Sequence, residues 1–119
     1  MVLGAATLLL SLGRKGDEML FLADISIDDR GLSLPQLFDL WEKEAEAALQ
    51  AKAAGLIKSI YKAVGQRRVF VIIEAPNHDM IDDIAMAKLP MAHHLKVNSV
   101  TPIREYENFA QSLKKRFAD

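Results

Sequence analysis

At 119 residues the chain has room for one domain, and with half of its residues apolar it can bury a core. Lys and Arg (15) nearly balance Asp and Glu (16) for a net charge of −1, and the signs are interspersed, so no basic footprint asks for a nucleic acid. Cysteine is absent, which excludes a disulfide framework, a thiol nucleophile and a Cys-based metal site, and fits a reducing cytoplasm.

The opening string MVLGAATLLLSLGRKGDE places its basic pair, Arg14 and Lys15, after the apolar run, the wrong order for a secretory signal. The run is about a dozen residues where a membrane span needs about 20, so no membrane partner is expected. Met19 begins a second start-like string, MLFLADISI. Residues 1–18 therefore read as an extension on a single domain covering 19–119. Its apolar content predicts an ordered segment docked on its own domain or on a neighbouring subunit.

Residues 19–27 alternate in ADISI and predict a strand that stops at the turn-forming DDRG. From Leu34 the period becomes helical: Ser33 can cap, Pro35 suits the first turn, and Gly55 ends the run. Wound at about 100° per residue, the helix carries Leu37, Phe38, Trp41, Ala45, Ala48 and Leu49 on one stripe. LIKSIYKAV and RVFVIIEA flank Gly65-Gln66-Arg67 and predict two hairpin strands. Asn77 caps a second helix, HDMIDDIAMAKL, that Pro90 ends. HHLKVNSVTP predicts a fourth strand, and REYENFAQSLKKRF a closing helix with Tyr106, Phe109, Leu113 and Phe117 on one face. The order βαββαβ plus a terminal helix is an α+β, ferredoxin-like plan.

In VFVIIE both alternating sets are apolar, whereas a sheet wet on one side would alternate with polar residues. The two helices cover one face only. The other face therefore predicts a cover, either a second copy of the same sheet or the leader or terminal helix of a neighbour, and the chain is expected to be a homo-oligomer built from sheet-to-sheet dimers.

Several side chains are candidates for chemistry. Glu44, at the edge of the helical stripe about 60° from Trp41, either snorkels past the end of the sheet or lines a cleft between helix and sheet, where partial burial would raise its pKa into the range of proton transfer. Lys52, near the same stripe, either snorkels past the sheet or binds substrate in a cleft between helix and sheet. Trp41 and Tyr61 are core aromatics or walls for a small planar ligand. Arg67 and Arg68 at the hairpin are solvated, or reach a partner's pocket to hold a carboxylate. On a strand His93 and His94 would face opposite ways, so they cannot act as a pair, and no metal is expected. His93 alone is a strand-edge histidine or a general acid or base. No nucleotide or serine-hydrolase motif is present.

The order of elements and the strings MLF at Met19, EKEAEAALQAKAAG, IYKAVG, EAP and KLPM resemble the muconolactone isomerase family over about residues 19 to 101. The resemblance implies a dimeric α/β barrel of ferredoxin-like subunits and an isomerase that shifts a proton within a small unsaturated lactone during catabolism of aromatic compounds, without metal or organic cofactor. It implies Glu44 as the base, with Tyr61 and His93 for proton return and substrate positioning; Trp41, Lys52 and Arg68 are the binding candidates beside them. The strings MAHHLK and QRRVFVIIEA depart from the family pattern and leave the substrate open. A cofactor-free monooxygenase or a non-catalytic ligand-binding protein on the same plan is the alternative. A carboxylate and a His or Tyr converging on one point would favour the isomerase, and a wholly apolar pocket the alternative.

Overall fold

The computed structural model describes residues 19–118, with positions 87, 88, 117 and 118 defined by backbone alone. The extension expected over residues 1–18, and the side chain of Phe117, lie outside the described residues. In chain order the elements are β1 (Met19–Ile27), α1 (Leu34–Ala53), β2 (Ile57–Lys62), β3 (Arg68–Ala75), α2 (His78–Asp83), β4 (Leu95–Ile103) and α3 (Tyr106–Ala118). The four strands form one antiparallel sheet in the order β2-β3-β1-β4, which is the ferredoxin-like topology expected. Among the described residues no helix is long and apolar enough to cross a membrane.

Local chemistry explains the helix ends. The Ser33 side chain accepts the Gln36 N–H, and the Gln36 side chain in turn accepts the Ser33 N–H at 2.8 Å, a capping box that satisfies two otherwise orphaned donors. At the other end Gly55 adopts a φ of 91°, a left-handed conformation that side chains resist, and the chain turns into β2. Asn77 caps α2 by accepting the Met80 N–H. The second helix is shorter than its sequence pattern suggests: after Asp83 the backbone widens into a π-helical turn over Ile84–Lys88, and Leu89 is already extended.

Residues 92–94 correct the expected fourth strand. They form a single 3-10 turn, in which Ala92 N–H bonds the Leu89 carbonyl and His94 N–H bonds the Met91 carbonyl, and β4 begins only at Leu95. Pro90 cannot donate to a ladder, and Met91 is completely buried, so the chain must dip into the core before it can pair with β1. The two histidines therefore do not alternate across a sheet.

Register assigns each strand residue to a face. Phe21, Ala23, Ile25 and Ile27 of β1 share the helix-covered inner face with Val69, Val71 and Ile73 of β3, their cross-strand partners. Leu20, Leu22, Asp24 and Ser26 share the outer face with Glu74, Ile72, Phe70 and Arg68. A bulge in β4 sets Asp24 opposite Ser99 and Ile25 opposite Val97, so the inward positions shift phase from Leu95 and Val97 to Val100. On the inner face the core divides into two clusters. Leu56, Ala75 and Ile84 pack at one end, and Ile27, Leu37 and Met91 at the other. The long helix contributes Leu37 and Ala47 as its buried residues, with Leu40, Trp41, Glu44, Ala48 and Ala51 partly buried beside them. That stripe is rotated from the one expected: Phe38 and Leu49 remain 57% and 61% exposed.

Candidate functional site

Between the two core clusters, α1 and the inner face of the sheet stand apart around a cavity of about 710 Å³. Small side chains produce the gap. Ala45, Ala47 and Ala48 are good helix formers that keep α1 intact yet add little volume, and Ala23 lies opposite them on the central strand. Ile25, Val71 and Leu95 extend the apolar wall, while the exposed rings and branches of Phe38 and Leu49 stand at the margin. Among the described residues the charged side chains lining the cavity are Glu42, Glu44 and Lys62.

Glu44 is half-buried in this wall, and burial, which disfavours its charged form, pushes its carboxyl above the usual glutamate range. A backbone hydrogen bond opposes that shift in part: the Met91 N–H donates to Oε1 at 2.8 Å. The same contact fixes the carboxylate's orientation. Trp41, one turn earlier on α1, forms the neighbouring wall, and the Lys62 ammonium lies 6.0 Å from the centre of its ring.

The structure thus brings together two of the six residues singled out from the sequence, Trp41 and Glu44. The other four stand elsewhere. Tyr61 opposes Phe70 on the outer face and is 65% exposed. His93 is exposed on the 3-10 turn, and Lys52 is exposed in the last turn of α1, about 100° around from the partly buried Ala51. Arg68 also faces outward, where its Nε and Nη2 donate to both oxygens of Asp24 at 2.8 and 2.5 Å. Among the described residues no His or Tyr lines the cavity beside the carboxylate to form the arrangement that would favour two-group proton transfer. His94 has a structural role: its Nδ1 donates to the Asp28 carbonyl at 2.9 Å while Asp28 N–H bonds the His94 carbonyl, tying the 3-10 turn to the loop after β1.

Two cleft contributors were not legible as such. Lys62 follows Tyr61, and only the hairpin register, with Lys62 opposite Val69, decides that the lysine faces inward and the tyrosine outward. The Met91 N–H is a backbone group far along the chain from Glu44, with no side-chain signature. Among the described residues no three His, Asp or Glu side chains gather where they could hold a metal ion.

No curated protein matches this chain. The family model described as muconolactone delta-isomerase matches residues 19–108, which takes in the whole sheet, the helices that cover it and the cavity between them, and the chain belongs to the muconolactone delta-isomerase family.

Proposed function

We propose that this protein is a cofactor-independent isomerase that moves a proton within a small lactone or related unsaturated acid, with Glu44 as the proton carrier. The observation that carries the reading is a half-buried carboxylate with raised proton affinity, oriented by a backbone N–H, on the wall of a largely apolar cavity. Its ionised form takes a proton from a carbon conjugated with the substrate's carbonyl. The electron pair of that C–H bond enters the conjugated system as an enolate, and the carboxyl, which trades its proton with solvent at the open margin of the cleft, then returns a proton to a different carbon, so the double bond moves and the atoms balance. One carboxyl suffices for both steps when the two carbons lie on the same face of the substrate. The apolar walls exclude water that would dilute the charge interactions. Tyr61 and His93 could assist proton return, and Lys52 and Arg68 binding, only where a second copy carries them to a cleft.

Assembly belongs to the same proposal. The apolar residues Leu22, Phe70 and Ile72 share the outer face, opposite the one that α1 covers, and a second sheet packed face to face there would complete a dimeric α/β barrel. A role in breakdown of aromatic compounds in a reducing cytoplasm is the corresponding cellular context. The second reading, a ligand-binding protein or cofactor-free monooxygenase, draws on the absence of any His or Tyr from the residues lining the cavity.

Proton exchange from deuterated water into a panel of unsaturated lactones, followed by NMR, tests the proposal. Wild type should exchange at least one of them and Glu44→Gln should not. Tight binding with no exchange in wild type would establish the second reading instead.

A further inference from the structure

If Glu44 carries the proton, the remainder of the cavity must hold the substrate with its acidic carbon, and not another part, against that carboxylate. We propose that Lys62 is the specificity-determining residue of the cleft, selecting ligands with a negative charge at one end and an apolar conjugated body at the other. This rests on the isomerase reading for its consequence, though not for its test. The register of β2 on β3 turns Lys62 into the cavity, where it is the one cation among the described lining residues. No described carboxylate lies within ion-pair distance of it, and its Nζ instead donates to the adjacent Ala63 carbonyl at 2.8 Å, which holds the charge at the hairpin end of the cleft.

The other two charges on the lining, Glu42 and Glu44, both repel an anion. An anionic ligand therefore has one favourable orientation, with its negative group at Lys62, its flat body along the Trp41 ring 6.0 Å from that ammonium, and its uncharged conjugated end one helical turn further at Glu44. A neutral ligand of the same shape gains nothing from Lys62 and loses nothing by binding reversed. Packing of the lysine stem on Trp41 is the purely structural explanation, and a methionine keeps that stem while removing the charge.

Trp41 is the only tryptophan, so its fluorescence reports occupancy without turnover. The probes are an α,β-unsaturated five-membered lactone with a carboxylate side arm, and the methyl ester of the same compound. Wild type should bind the acid about fivefold more tightly than the ester, the size expected of a partly exposed ion pair, and added salt should narrow the difference. Lys62→Met should abolish the preference by weakening the acid alone, Lys62→Arg should keep it, and Glu44→Gln should retain or increase it while exchange is lost. Equal binding of acid and ester by wild type, or equal weakening of both in Lys62→Met, overturns the proposal. Selective binding through Lys62 without proton exchange would overturn the isomerase reading and leave the anion site standing.

Discussion

Asp24 and Glu44 lie on opposite faces of one sheet layer and have been driven in opposite directions. On the outer face the Arg68 side chain hydrogen-bonds both oxygens of Asp24, and the Asn98 amide donates to it as well, so its carboxyl is held down at about 2 although the Asp24 side chain is only 16% exposed. Asn98 also donates to Ser26, completing a polar patch among Leu22, Phe70 and Ile72. On the inner face Glu44 has no cation hydrogen-bonded to it and one backbone donor, and burial wins. The contrast shows that burial alone does not determine proton affinity; the partner does. A carboxylate locked to an arginine is a fastening, whereas the proposed proton carrier holds one backbone donor in a largely apolar cavity.

The most severe way to break this contrast is at Glu44. Replacement by Gln should lower proton exchange by about 10²–10⁴-fold, the usual contribution of a general base. The wild-type rate should rise with pH through a value above the ordinary glutamate range, because the carboxylate must be ionised to accept a proton. Stability has the opposite sign there. A raised native pKa contributes stability below the unfolded-state value and loses it as pH rises through the native one, so thermal melts should show Glu44→Gln gaining on wild type from acid toward neutral pH.

Packing on the two faces gives the next largest difference. Leu37 is 1% exposed at the centre of an inner-face cluster, and Leu37→Ala should cost about 2–5 kcal/mol in denaturant unfolding. Ile72 is only partly buried, and Ile72→Ala should cost about 1 kcal/mol in a single chain. If a second copy covers the outer face, that loss grows with protein concentration, and Ile72→Lys shifts the sedimentation profile from dimer to monomer. Unchanged sedimentation would remove the sheet-to-sheet assembly.

Asp24→Asn sharpens the comparison from the other side. A depressed native pKa supplies stability above the unfolded-state value and loses it as pH falls toward about 2, so the advantage of wild type over the variant in thermal melts should be full near neutrality and vanish near pH 2. The smallest effect is Gly55→Ala. The open space around Gly55 rules out a clash, and the φ of 91° alone predicts a loss of about 1 kcal/mol.

Much of this architecture could be read from the residues because its causes are local. Ser33 and Gln36 cap a helix wherever they occur three apart, the doubly apolar VFVIIE demands cover on both faces, and the family strings lie in order along the chain. The phase break in the last strand, whose inward positions run 95, 97, 100, was not anticipated and emerged only with the bulge in its pairing to β1. Helical periodicity put Glu44 and Trp41 near one stripe, and left open whether that stripe meets core, solvent or a cleft. The rest depended on contacts between residues distant in sequence. The Met91 N–H reaches Glu44 across 47 positions, residues 92–94 form a 3-10 turn before the strand begins, and hairpin register alone turns Tyr61 outward and Lys62 into the cavity. Period and caps act within a turn or two of the chain and are written in neighbouring letters; register, burial and the choice of a carboxylate's partner are set only when distant segments compete for the same space.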